Sequence, residues 1–282
     1  MYFDLSVPVI RSEEDALQFA TRTLDLGWSC VAETTHYKGE SLKRPSAAAR
    51  VEDRGNASNS ARSVSSEGSD LGYFEPGGSG MKENTRLLKL SRVNLIAAQI
   101  EDNTSLVSKC RRVYDLISCA PASEESFKKI CTLVDCDIVS LDLSQPLPFR
   151  LHPGHVQTAL KRGLVFEILY SKLLLDETTR MNVFSGAKSL CRSTRGRGII
   201  ISSGTRKLMD LRSPSDIINI AALFDLKGSQ AKDSVCDTCR KLIHRVVMSK
   251  QFHRGFCLKE SVPYSSQEDT LGKHTDKRQR KT

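Results

Sequence analysis

The residue types best suited to chemistry in this 282-residue chain gather around one apolar run. Gly198-Ile199-Ile200-Ile201 is followed at once by Ser202-Ser203-Gly204-Thr205-Arg206-Lys207. Hydroxyls, a glycine-relaxed backbone and two cations at the end of a strand suit a phosphate, through backbone N–H groups and charge-assisted hydrogen bonds. A solvated polar turn would use the same residues, because Ser and Gly are common turn formers. Just upstream, Lys188, Arg192 and Arg195 form a stripe beside an apolar helical arc of Val183, Phe184, Ala187, Leu190 and Cys191, and Arg197 follows Gly196. Eight Lys or Arg lie between Arg180 and Arg212, with Asp210 as the one acid. Solvated faces usually mix signs, so a stripe of one sign favours contact with a phosphate backbone. A second basic run, residues 273–281, sets five Lys or Arg against Asp276. The formal net charge is +9, so the rest of the chain is slightly acidic and the positive charge is local. A polyanion, and specifically a nucleic acid, is the expected partner.

Catalytic chemistry is harder to place. Asp4, Asp142 and Glu167 lie on or just after apolar strands and are the candidate acids. Barrel phosphoesterases need several His and carboxylate ligands to neutralise and fix their metals. This chain has six histidines, none on a clear strand and none in a His-x-His pair; His152 and His155 flank Pro153-Gly154 in a loop. Glu167 is expected to be a buried carboxylate paired with an arginine such as Arg162 or Arg212. A nucleophile elbow and a glycine-rich P-loop are both missing from the sequence. No active site or metal site is therefore specified. A metal-dependent phosphoesterase or sugar-phosphate enzyme using the Ser202-to-Lys207 loop stays as the alternative.

Cys236-Asp237-Thr238-Cys239, followed by His244, His253 and Cys257, could be drawn as a zinc site. Helical periodicity across 234–248 (Val235, Cys239, Leu242, Ile243, Val246, Val247) would bury the cysteines instead. The nine cysteines are read as reduced and buried. With no basic leader and no apolar run near membrane-spanning length, the expectation is a soluble intracellular protein.

The elements that must position these residues follow from periodicity. Strands are expected at 3–9, 28–34, 86–98, 114–119, 137–141, 164–169 and 198–202. Helices are expected at 13–26 (capped by Ser12), 124–134, 155–162, 179–193, 214–224 and 230–248. Alternating βα units with fully apolar strands argue for a parallel sheet covered by helices. The predicted class is α/β, a TIM-barrel-like, distorted β/α barrel, with a doubly wound sheet still open. Between His36 and Lys82, 16 of 47 residues are Gly or Ser. That composition cannot offset its ordering entropy, so 36–82 is expected to be a disordered insertion in a single domain of residues 1–250, with 251–282 a flexible basic tail.

Several segments resemble one family in collinear order. They are Leu147-Pro148-Phe149, Ala159-Leu160-Lys161-Arg162-Gly163-Leu164-Val165-Phe166-Glu167-Ile168-Leu169-Tyr170-Ser171, Gly198 to Gly204, Leu211-Arg212-Ser213-Pro214-Ser215-Asp216-Ile217-Ile218-Asn219 and Leu223-Phe224-Asp225-Leu226. Together with Phe3-Asp4-Leu5 and Leu26-Gly27-Trp28-Ser29, they resemble the thirty-kilodalton protein subunits of ribonuclease P and RNase MRP. The resemblance implies a TIM-barrel-like chain related to the polymerase-and-histidinol-phosphatase barrels but lacking their first-strand histidines. It also implies a non-catalytic, RNA-binding role, in which an RNA subunit with Mg²⁺ cleaves the 5′ leader of precursor tRNA and the protein itself binds no cofactor. Implied partners are the catalytic RNA of ribonuclease P, the MRP RNA that processes precursor rRNA, precursor tRNA indirectly, and other subunits including a small one of ferredoxin-like fold. No membrane is implied, and the location is the nucleus, specifically the nucleolus. By position, Arg162, Ser202, Ser203, Lys207 and Arg212 become RNA-facing or rim residues. Lys188, Arg192, Arg195 and Arg197, joined by Arg180 and Arg206, become the sequence-independent contacts. The basic C-terminal run becomes an import signal or an RNA-touching tail.

Overall fold

The computed structural model describes residues 1–10, 12–37, 72–74, 87–98, 105–253 and 256–257. In chain order the elements are β1 (Phe3–Pro8), α1 (Glu13–Asp25), β2 (Cys30–His36), β3 (Gly72–Phe74), β4 (Leu87–Ile96), α2 (Leu106–Val113), β5 (Leu116–Ala120), α3 (Glu124–Thr132), β6 (Ile138–Ser140) and α4 (Pro153–Lys161). They continue with β7 (Val165–Leu169), α5 (Glu177–Thr194), β8 (Ile199–Ser202), α6 (Pro214–Ala222), α7 (Gly228–Val235) and α8 (Asp237–Gln251), then a minimal antiparallel pair, β9 (Phe252–His253) and β10 (Phe256–Cys257). Local chemistry starts the helices where the sequence suggests. Ser12 Oγ accepts from Asp15 N–H to cap α1, Asp176 accepts from Thr179 N–H to cap α5, and Ser213 with Asp216 forms a capping box around Pro214 on α6.

Seven strands form one parallel sheet in the order β1-β2-β4-β5-β6-β7-β8, and β3 runs antiparallel beside the start of β4. The sheet curls until β1 and β8 face each other across a seam without a strand ladder, giving an α/β, nearly closed, barrel-like body. Because all seven strands point the same way, a residue just before a strand lies at one end of the body and a residue just after it at the other.

Three apolar regions hold this arrangement. Outside the sheet, Val93, Ile117, Val139, Phe166 and Ile201 pack against Phe127, Val156, Ala187, Leu190, Ile217 and Phe224 of the surrounding helices. A smaller region seats Phe19, Ala20 and Leu24 of α1 on Val7, Val31 and Leu87. Inside the barrel, Phe3, Leu5, Leu90, Leu116, Ile138, Val165 and Ile200 meet Cys239, Leu242 and Val246 of α8. Helix α8 thus plugs the N-terminal end of the sheet. Burial of each such side chain contributes about 1.5–3 kcal/mol. Polar ties fix its position: Arg245 Nη2 reaches Asp137 Oδ1 at 3.4 Å and Lys250 Nζ reaches Asp115 Oδ1 at 2.7 Å. Burial alone would raise the Asp115 pKa, but hydrogen bonds from Lys250 and Ser91 hold it below the usual carboxylate range.

Three expectations change. The helix expected over 230–248 is two helices, because the backbone leaves the helical region at Cys236 (φ −129°, ψ −84°). That break lets α7 stay beside β8 while α8 turns beneath the barrel. Gly72–Phe74, within the expected disordered insertion, is a strand, with Gly72 opposite Lys89 and Phe74 opposite Leu87. Helix α2 was not anticipated. The rest of 38–71, 75–86 and 258–282, including the basic run at 273–281, lies outside the described residues. Among the described residues, no helix is long and apolar enough to cross a membrane.

Candidate nucleic-acid interface

The strand-end loop after β8 does not form a free phosphate cradle. Ser202 and Ser203 are both buried. The Ser203 N–H donates to Asp4 Oδ1 (3.0 Å), its hydroxyl donates to Ser6 O (3.3 Å), and the Gly204 N–H donates to Ser6 O (2.7 Å). These bonds span the β1/β8 seam where a ladder is missing. Thr205 is spent too, with its hydroxyl donating to Asp210 Oδ2 (3.2 Å) and accepting from the Lys207 N–H (3.1 Å). Only Arg206 and Lys207 of this loop present exposed side chains. Arg212 is half-buried and folds back on its own loop, its Nη1 donating to Met209 O at 2.7 Å, while Trp28 Nε1 donates to Arg212 O at 3.0 Å. Arg180, at the same end of the body, is exposed with its Nε donating to Leu173 O (2.9 Å).

The candidate acids are structural as well. Glu167 pairs with Arg92, which sequence reasoning missed, and not with Arg162 or Arg212. Both oxygens are engaged, Nη1 to Oε1 at 2.5 Å and Nη2 to Oε2 at 2.6 Å, with side-chain exposures of 1% and 0%. Arg92 also donates to Leu5 O and Ser118 Oγ, and Ser140 donates to Glu167 Oε2, so a polar layer lies inside the barrel and ties β1, β4, β5, β6 and β7 together. A buried pair this fully bonded costs little, while either partner alone would be a buried uncompensated charge. Burial pushes the Asp4 carboxyl up to about 6 against the hydrogen bonds from Ser203 and Ser6, with Glu167 adding to the rise. Asp142 Oδ1 accepts from the Ser144 N–H and hydroxyl in an exposed turn.

Among the described residues, no three His, Cys, Asp or Glu come together as a metal site. Cys236 and Cys239 are buried, as the helical periodicity predicts, with Cys239 facing the barrel interior. Burial pushes the Cys131 and Cys191 thiols up to about 12, which leaves them protonated and unsuited to attack or ligation.

The remaining cations lie elsewhere. Arg195 and Arg197 come between α5 and β8, at the N-terminal end of the sheet, opposite Arg206 and Lys207. The basic stretch of the sequence is therefore two surfaces. Arg195 ends α5 in the left-handed region (φ 57°), and Gly196 (φ 70°) and Gly198 (φ 63°) continue the turn. Gln230 Nε2 donates to Arg195 O (3.1 Å), fixing the turn to α7. Both arginine side chains are exposed, and neither pairs with an acid among the described residues. Lys188 and Arg192 do have a counter-ion: Asp225, brought from the α6–α7 connection, lies 3.9 Å and 4.0 Å from them. Arg162 serves packing. Its guanidinium donates to Ile130 O, Cys131 O and Val134 O (3.1, 3.0 and 2.7 Å), closing the C-terminus of α3.

Comparison with known proteins supplies the kinship. "Protein GAMETOPHYTE DEFECTIVE 1" of Arabidopsis thaliana is 30% identical over 268 residues, which cover 90% of this chain and 45% of that protein. The "Probable ribonuclease P protein subunit 3" of Schizosaccharomyces pombe is 36% identical over 153 residues, covering 54% of this chain and 65% of that protein. This chain thus spans less than two thirds of these relatives' lengths. A chain in a cryo-EM structure of archaeal ribonuclease P with mature tRNA shares the fold, with a TM-score of 0.62 and 17% identity over 92% of this chain and 99% of that one. The family model described as RNase P subunit p30 matches residues 1–251, and the chain belongs to that family.

Proposed function

We propose that this chain is a non-catalytic, RNA-binding protein subunit of ribonuclease P, acting in removal of the 5′ leader of precursor tRNA. The observation that carries this reading is the family match over residues 1–251. The site geometry supports it, since Asp4 and Glu167 are consumed in closing and filling the barrel while exposed cations remain at its ends. On this reading the cleaving group is the RNA subunit with its Mg²⁺, and the protein holds RNA through phosphate contacts. A part in RNase MRP and precursor rRNA processing, a small ferredoxin-like partner subunit and a nuclear, specifically nucleolar, location extend the same proposal. So do a TIM-barrel-like ancestry for the nearly closed sheet, a single domain over 1–250 and a basic tail over 251–282.

The test is affinity purification of the tagged chain, with sequencing of the associated RNA and assay of leader cleavage on a precursor tRNA. A ribonuclease P RNA and cleavage abolished by prior nuclease treatment are expected. Cleavage that survives nuclease treatment, or metal-dependent phosphoester hydrolysis by the isolated chain, would overturn the proposal.

A further inference from the structure

Resting on the RNA-binding reading, we infer that the N-terminal-end surface around Arg195 and Arg197 grips the sugar-phosphate backbone of a double-stranded, A-form RNA stem. Contacts between three separate elements assemble this surface. Gly198 packs so tightly on Leu160 that an added Cβ would come within 2.3 Å of its Cδ2, which sets Arg197 beside the end of α4 and its exposed Lys161. Gln157 Nε2 donates to Ser193 O (3.2 Å), a second tie between α4 and the end of α5. On the other side, Gln230 bonds Arg195 O, and its Oε1 accepts from the N–H of exposed Lys227 (3.1 Å). Lys161, Arg197, Arg195 and Lys227 therefore line a continuous edge, with Arg192 flanking it. The turn at its centre is held in place, because Gln230 fills the space against Gly196 and Leu160 the space against Gly198.

The class of RNA follows from what accompanies the cations. Proteins that hold single strands stack unpaired bases on exposed aromatic rings between basic groups, whereas stems are held by phosphate and shape alone. No Phe, Tyr or Trp among the described side chains is exposed. The tilted ring pair His152 and His155 stands at the start of α4, the opposite end of that helix from Lys161. Among the described residues the edge thus has charge and a fixed backbone without an aromatic stacking platform, the combination that suits a duplex backbone.

The experiment measures binding of the full chain to a fluorescent RNA hairpin stem and to an unstructured single strand of equal length, each across a salt series. The stem is expected to bind more tightly, with little dependence on its sequence. The combined change Arg195→Asn, Arg197→Gln, Lys227→Gln is expected to make the log–log salt slope shallower by about three, one for each cation. Asn is chosen at 195 because it tolerates the left-handed region, and an unchanged melting curve checks the fold. The inference fails if the single strand binds as tightly as the stem. It also fails if the triple variant keeps the full slope while Arg206→Gln with Lys207→Gln loses it; in either case RNA binding itself stands. Absence of binding to both probes would overturn the RNA reading and this inference together.

Discussion

The two ends of the sheet put their polar residues to opposite purposes. At the C-terminal end, where barrel enzymes place their chemistry, Ser202 and Ser203 are buried, and Ser203 and Gly204 close the seam between β1 and β8 by bonding Asp4 and Ser6. At the N-terminal end, Arg195 and Arg197 stand exposed on a left-handed turn. The difference lies in what the fold demands locally. A seven-stranded sheet that curls without a final ladder must satisfy its edge groups from side chains and loops. Asp4 Oδ1 and the Ser203 hydroxyl meet those demands, while Asp4 Oδ2 and Ser202 Oγ stay buried beside them without a partner among the described residues. The opposite end is closed by the apolar face of α8, with Arg245 and Lys250 tied to Asp137 and Asp115, so Arg195 and Arg197 are not needed for closure.

The largest expected effect would break this contrast inside the barrel. Arg92→Ala leaves Glu167 buried without a cation, with the Ser140 hydroxyl as its remaining donor, and is expected to cost about 3–5 kcal/mol in urea denaturation, with RNA affinity of the remaining folded protein unchanged. Next comes pH. The Asp4 carboxyl is raised from 3.8 to about 6 by burial, so its protonated form is the one the fold favours. The stability tied to this group is fully present below 3.8 and is lost as pH rises through 6, about 3 kcal/mol over the interval. The difference in unfolding free energy between wild type and Asp4→Asn should change by that amount between pH 3.5 and pH 7, values chosen on the basis of these two pKa values. A constant difference would remove Asp4 from the account of the seam.

Gly198→Ala tests the other end. With φ at 63° and Leu160 Cδ2 in the way, it is expected to lower stability by about 2 kcal/mol and to weaken RNA binding by displacing Arg197. The smallest effect is expected from Asp225→Asn. Its ion pairs at 3.9 Å and 4.0 Å are exposed, so stability should move by less than about 1 kcal/mol, while release of Lys188 and Arg192 raises RNA affinity and steepens its salt dependence.

Much of the framework was legible because it rests on local periodicity. The run Ile199-Ile200-Ile201, the Ser213-Pro214 helix start and the buried face around Cys239 all read correctly from residue type and spacing. What failed depended on closure in space. Glu167 finds its arginine 75 positions away, in a strand where Arg92 looks like any exposed polar residue. Asp225 reaches the basic stripe only after α6 folds back, so a stripe without acids in sequence has one in the structure. Arg162 resembles a surface cation until α3 is packed against it. Ser202 and Ser203 read as a phosphate loop because no pattern reveals which two strands of a curled sheet will lack a ladder. Helix α2 offers three buried side chains in eight residues, too short a period to stand out.

The most direct test of the central claim is ultraviolet crosslinking of the assembled RNA–protein particle, with mass spectrometry to locate the attached residues. Crosslinks are expected in the peptides around Lys161, Arg192 to Arg197 and Lys227, at the N-terminal end of the sheet. Crosslinks confined to Ser202 through Arg212, with none near Arg195, would contradict the account.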